Sequence, residues 1–149
     1  MAEKIASLSQ TGITVGVNIA HFRAERRLSL VELSRRLADG GRPIPPLGIS
    51  RIEALERRVD SDDLVALAIA LEVNPNVLLF PRTARRDIAQ LITGVKTAYS
   101  EFEIWHWARG DFQLSSKPVD QLSAAEKSRE QLRNIQFRYE VPDPDAEVF

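Results

Sequence analysis

The stretch Ser29-Leu30-Val31-Glu32-Leu33-Ser34-Arg35-Arg36-Leu37-Ala38-Asp39-Gly40-Gly41-Arg42-Pro43-Ile44-Pro45-Pro46-Leu47-Gly48-Ile49-Ser50-Arg51-Ile52-Glu53 decides the fold, because it encodes two helices and the turn between them. Ser29 and Glu32 have the spacing of a capping box, and Leu30, Leu33 and Leu37 follow at helical period, so a helix starts at Ser29. Asp39-Gly40-Gly41 stops it. Arg42-Pro43-Ile44-Pro45-Pro46 is not helical, yet Pro46 suits the first position of a new helix, where its missing N–H has no partner to lose. That helix is predicted over about 46–55. Ile49, Ile52 and Glu53 share one of its faces, which leaves Leu47, Ser50, Arg51 and Ala54 pointing away.

Working outward, a preceding helix is predicted over about 14–27, with Thr14 as N-cap and Val15, Ile19, Phe22 and Arg26 on one stripe. On the other side, Asp60 caps a fourth helix that has Asp63 in its first turn and carries Leu64, Val65, Leu67, Ala68 and Leu71. Asn74-Pro75 restarts a short fifth helix with Val77, Leu78 and Leu79, and Pro81 closes the segment. Five helices in so short a run predict a small all-α domain over 12–81.

Residues 82–140 read as a smaller helical region for dimerisation or partner binding. Ile88, Leu91, Ile92, Val95, Tyr99, Phe102, Trp105 and His106 keep a helical stripe, with Gly94 as a potential break. Trp105 and Trp107 point about 200° apart on a helix, so only one joins the Tyr99/Phe102 stripe, which favours packing over a ligand cage. Arg109-Gly110-Asp111 stops this helix, with Gly110 at the C′ position. Residues 111–119 read as loop. A capping box of Ser123 and Glu126 then opens a helix to about Tyr139, with Ala125, Leu132, Ile135 and Tyr139 near heptad spacing. Residues 141–149 read as a flexible tail.

The 149 residues are 44% hydrophobic, enough for a core. There is no cysteine, and the two histidines, His21 and His106, lie far apart, which argues against disulfides, zinc fingers, iron–sulfur clusters and Cys/His catalysis. No Gly-rich phosphate loop, H-E-x-x-H or G-x-S-x-G occurs; neither an enzyme nor a metal or other cofactor is expected. Without a long apolar run or a signal-like start, the chain is expected in the cytoplasm with no membrane partner. The net charge of −1 conceals an asymmetry. Residues 20–58 contain nine arginines against five acids, a basic footprint of the kind nucleic-acid binders show.

Val15-Gly16 with Ile19, Phe22, Arg23, Arg26 and Leu28-Ser29, then Glu32-Leu33, the run Ile49-Ser50-Arg51-Ile52-Glu53, and Asp63 to Leu71 with Val73-Asn74-Pro75 together resemble the Cro/CI-type (XRE) helix-turn-helix family. The resemblance covers about 14–81. The Gly-Arg-Pro-Ile-Pro insertion is similar to one in an actinobacterial subset of that family.

The resemblance implies a five-helix, lambda repressor-like domain acting as a sequence-specific transcriptional regulator. It would bind double-stranded DNA through the helix 46–55 as a homodimer at the nucleoid, with any small-molecule effector unknown. Arg51 is the expected base reader, since its guanidinium can bridge O6 and N7 of guanine; Ser50 can bond a base and Leu47 can touch a thymine methyl. Arg27, Arg42, Arg57 and Arg58 flank this helix as expected phosphate contacts. Arg23 and Glu53 are implied to form a buried structural ion pair. The chain differs from the family in its longer turn, in Leu30 where a phosphate-binding glutamine is frequent, in Pro46-Leu47 in place of polar readers, and in Leu55 where a glycine usually ends the helix. Leu55 therefore predicts a helix running on toward Arg57. The alternative is a helix-turn-helix module of antitoxin or co-regulator type that docks a protein through Leu47. A ligand pocket beneath Tyr99 and Trp105 is a third possibility.

Overall fold

The computed structural model describes residues 8–82, 92–96, 99–114 and 121–140, and side chains only as far as 134 in the last segment. Among the described residues there are seven helices and no strand. The chain divides into two compact units, 1–82 with 90–94, and 83–89 with 95–149. No helix among the described residues is long and apolar enough to cross a membrane.

The first unit contains α1 (Gln10–Glu25), α2 (Leu30–Asp39), α3 (Pro46–Glu53), α4 (Ser61–Leu71) and α5 (Pro75–Leu79). The first helix starts at Gln10, not at Thr14, and ends at Glu25. Its N-cap, Ser9, makes no side-chain capping bond. Thr93, remote in sequence, substitutes: its Oγ1 accepts from the Thr11 N–H at 3.1 Å, and its own N–H donates to Thr11 Oγ1 at 2.9 Å. A local search for a capping side chain cannot find such a partner.

The remaining starts follow local chemistry. Ser29 accepts from the Glu32 N–H and Asp60 from the Asp63 N–H, while Pro46 and Pro75 occupy first turns. Glu32 spends its own carboxylate on Arg35 (2.7 Å). The core lies where these helices meet: Ile19, Leu33, Ile49, Ile52, Leu67 and Leu71 are all 0% exposed. Burying each such side chain contributes about 1.5–3 kcal/mol.

One buried polar residue ties the ends of this unit together. Asn18 on α1 donates its side-chain amide to the carbonyls of Val77, Leu78 and Phe80 at 3.0, 3.1 and 3.0 Å. These are the carbonyls that a short helix leaves unsatisfied at its C-terminus. Among the described residues no buried side-chain nitrogen or oxygen lacks a partner.

The second unit contains α6 (Glu101–Ala108) and α7 (Ala124–Glu140). The long stripe expected from Ile88 is not one helix. Gly94 adopts φ +86°, residues 92–96 form a turn, and Ser100 opens α6 with a complete capping box to Glu103. The buried position of α6 is Ile104, at 0%, while Phe102 is 64% exposed, so the proposed Tyr99/Phe102/Trp105 stripe does not hold. Gly110 sits at φ +81° beyond the end of α6, as expected, and Asp111 accepts from Arg109 at 2.6 Å. The Ser123–Glu126 box is present in both directions. Leu132 is exposed. Ile88, Leu91, most of the 111–119 loop, the side chains of Ile135 and Tyr139, and the 141–149 tail lie outside the described residues.

Candidate nucleic-acid interface

The third helix has an inner and an outer face, as its spacing predicted. Gly48, Ile49 and Ile52 are buried, while Leu47, Arg51 and Ala54 are exposed and Ser50 is half-buried. Glu53, at the inner edge, receives Arg23 of α1 in a two-pronged pair: Nε to Oε1 at 2.5 Å and Nη2 to Oε2 at 2.8 Å. The third donor of Arg23 goes to the Leu28 carbonyl at 2.8 Å. The pair is largely withdrawn from water, with side-chain exposures of 21% and 15%. Hydrogen bonding to Glu53 raises the Arg23 pKa above its ordinary value, keeping the guanidinium charged.

α3 does not run on toward Arg57. Leu55 takes φ +63°, and the N–H groups of Glu56 and Arg57 turn back to the Arg51 carbonyl at 2.8 and 3.2 Å. A leucine in the left-handed region is strained, and here its side chain lies against Gly16 of α1.

The long turn ahead of α3 is anchored at several points. Ile44 is buried in the core, its carbonyl accepts from Ser34 Oγ at 2.7 Å, and Arg42 crosses to the start of α4.

Two of the arginines expected to contact phosphate also bond within the domain. Arg42 donates from Nε to Asp63 Oδ1 at 2.9 Å and from Nη2 to Asp60 Oδ2 at 3.0 Å. Arg57 donates from Nη2 to Asp63 Oδ2 at 2.9 Å. Both guanidiniums are thus committed to carboxylates within the domain, because Asp63 is only 2% exposed and as a buried anion requires cationic partners. Arg27, at φ +55° between α1 and α2, and Arg51 are exposed and form no ion pair among the described residues. Arg58 is exposed at the rim of a groove of about 490 Å³ that Leu8, Gly12, Val59 and Leu64 also line.

Sequence reasoning missed Asp63 as an ion-pair centre; two flanking arginines with an acid in the third position of the next helix were the available signal. It also missed Val31, which stands 68% exposed on α2, near in exposure to Leu47 on α3 at 62%.

Asp60 carries a pH consequence. The Asp63 N–H bond, and next the Arg42 charge, hold its carboxyl below the ordinary 3.8. A depressed folded pKa stabilises the domain above the unfolded value and loses that contribution as pH falls through the folded value. Asp60→Asn keeps a cap oxygen but no charge. Its stability deficit against wild type, read from urea midpoints, should therefore narrow as pH drops below the carboxylate range; a gap independent of pH would refute this role.

Comparison with protein-family models, with curated protein sequences and with solved structures gives no match.

Proposed function

We propose that the first unit is a Cro/CI-type helix-turn-helix domain that binds double-stranded DNA sequence-specifically as a transcriptional regulator. It is a binding protein and not an enzyme, and it works as a homodimer on half-sites about one helical turn apart. The observation that carries this reading is α3 itself: its inner face is fully buried, and its outer face offers Leu47, Ser50 and Arg51 to the surroundings. A helix held from one side and bearing on the other an exposed arginine, with no ion pair among the described residues, suits the major groove. Arg27 and Arg58, exposed on neighbouring turns, with Arg42 and Arg57, whose side chains are 42% and 36% exposed, are the phosphate contacts in this reading.

The test is random-site selection with the full chain, followed by fluorescence anisotropy on the selected duplex and a scrambled one across a salt series. Wild type should prefer the selected duplex, with affinity falling steeply as salt rises. Arg51→Ala should reduce discrimination at one base pair by roughly 1–3 kcal/mol. A second reading draws on the exposure of Val31 and Leu47, which would equally serve a protein partner. Failure to select any duplex, with a partner bound in a salt-insensitive way, would favour that reading.

A further inference from the structure

Arg42 and Arg57 have something in common: they bracket α3 in the chain. Arg42 lies in the turn before it and Arg57 in the turn after it, and both end on one carboxylate, each taking a different oxygen of Asp63. Asp63 belongs to neither turn. It sits in the first turn of α4, 2% exposed, with its backbone N–H held by the Asp60 cap at 2.7 Å. Arg57 also crosses α3 on its way: a Cβ on Gly48 would stand 2.7 Å from Arg57 Nη1 and 3.0 Å from Ile44 Cγ2. The guanidinium therefore rests on the first turn of α3, in the space that the absent side chain leaves. Asp60 extends the clasp by taking a second donor of Arg42.

We propose that Asp63 is a positioning residue for α3: by holding Arg42 and Arg57 at once, it fixes where the outer face bearing Leu47, Ser50 and Arg51 stands relative to the rest of the domain. The inference rests on the DNA-reading role of that face, and it adds a specificity determinant that touches no base.

Apolar contacts through Ile49 and Ile52 bury α3 but tolerate a small slide or rotation, because the hydrophobic effect is non-directional. Two guanidinium–carboxylate bonds from opposite ends of the helix are directional, and they oppose such movement. Buried charged groups are costly to bury and are best attested where they specify one arrangement among several of similar packing energy. The turn of residues 40–45, long for a link between two such helices, makes that specification necessary, since a long connection constrains the following helix less than a short one.

Asp63→Asn tests this, since it keeps the shape and one acceptor oxygen while removing the charge. Two readouts are taken on the full chain. In amide hydrogen exchange, faster exchange should be confined to residues 42–57, with α1 and α5 unchanged. In binding to the selected duplex and its single-base variants, discrimination at the base pair read by Arg51 should fall about tenfold, with little change in the salt slope. Asp63→Asn placed on Arg51→Ala should add almost no further loss at that base pair.

Exchange accelerated equally in all five helices, or losses that simply add in the double variant, would overturn the proposal. Arg57→Gln is the second variant if Asp63→Asn fails to fold, and the same confined exchange is expected of it. Should wild type select no duplex, the DNA reading fails, while the exchange pattern still decides whether Asp63 positions α3.

Discussion

Gly16→Val is expected to leave little folded protein at ambient temperature, and Gly16→Ala to lower stability by about 2 kcal/mol. A Cβ at this position would lie 2.6 Å from Leu55 Cδ2 and 2.7 Å from the carbonyl oxygen of Ile52. The leucine methyl can turn aside, but the carbonyl belongs to the backbone of α3 and yields only if the whole helix shifts. Alanine recovers about 1 kcal/mol of helix propensity relative to glycine, which offsets part of an overpacking cost of about 1–3 kcal/mol or somewhat more. Valine recovers only a few tenths of a kcal/mol over glycine and has two further methyl groups to place, so its expected cost exceeds about 4 kcal/mol. Urea unfolding of both variants provides the measurement. Because Leu55→Gly also relieves the left-handed strain at that position, the comparison is with Leu55→Gly alone: in that background Gly16→Ala should cost less but still something, and no residual cost would place the obstruction in Leu55 alone.

The second large effect concerns the neighbouring contact between the same two helices. Glu53→Ala is expected to cost about 3 kcal/mol, near the lower end of the range for breaking a buried pair, because some water still reaches both partners. The loss is that of a guanidinium left with only the Leu28 carbonyl for company. Replacing both partners by apolar residues, Arg23→Met with Glu53→Leu, should be far milder than either single change, because no stranded charge remains. A cost for Glu53→Ala below about 1 kcal/mol would class the pair with exposed surface bridges and refute its structural role.

Both changes act where α1 approaches α3, a juncture that was half legible in the sequence. Helix order, the Ser29 and Asp60 caps, the proline starts and the two faces of α3 could all be read, because each depends on residues within a turn of one another. The Arg23–Glu53 pair came from resemblance, not from spacing, since its members stand 30 positions apart. What escaped the reading was long-range partnership. Thr93 completes the start of α1, Asp63 draws in Arg42 and Arg57, and Leu55, with a left-handed backbone, lies on Gly16. In the second half, a run of apolar residues at helical period left one helix or two open, with Gly94 as the candidate break; Gly94 does break it, and Ser100 opens the helix that follows. Periodicity counts residues that could face a core, whereas turn chemistry decides whether the chain stays helical long enough for them to do so.

The Asn18 clasp has a bearing on the order in which the domain is made. Its three acceptors lie 59, 60 and 62 positions downstream. During synthesis α1 can meet α3 once residues 53–55 are out, but its Asn18 amide finds none of its acceptors until residues 77–80 have followed. Closing so long a loop is slow compared with forming any of the helices, so the α1–α5 closure belongs late in folding. The nascent domain thus becomes a single cooperative unit only when its last helix is complete.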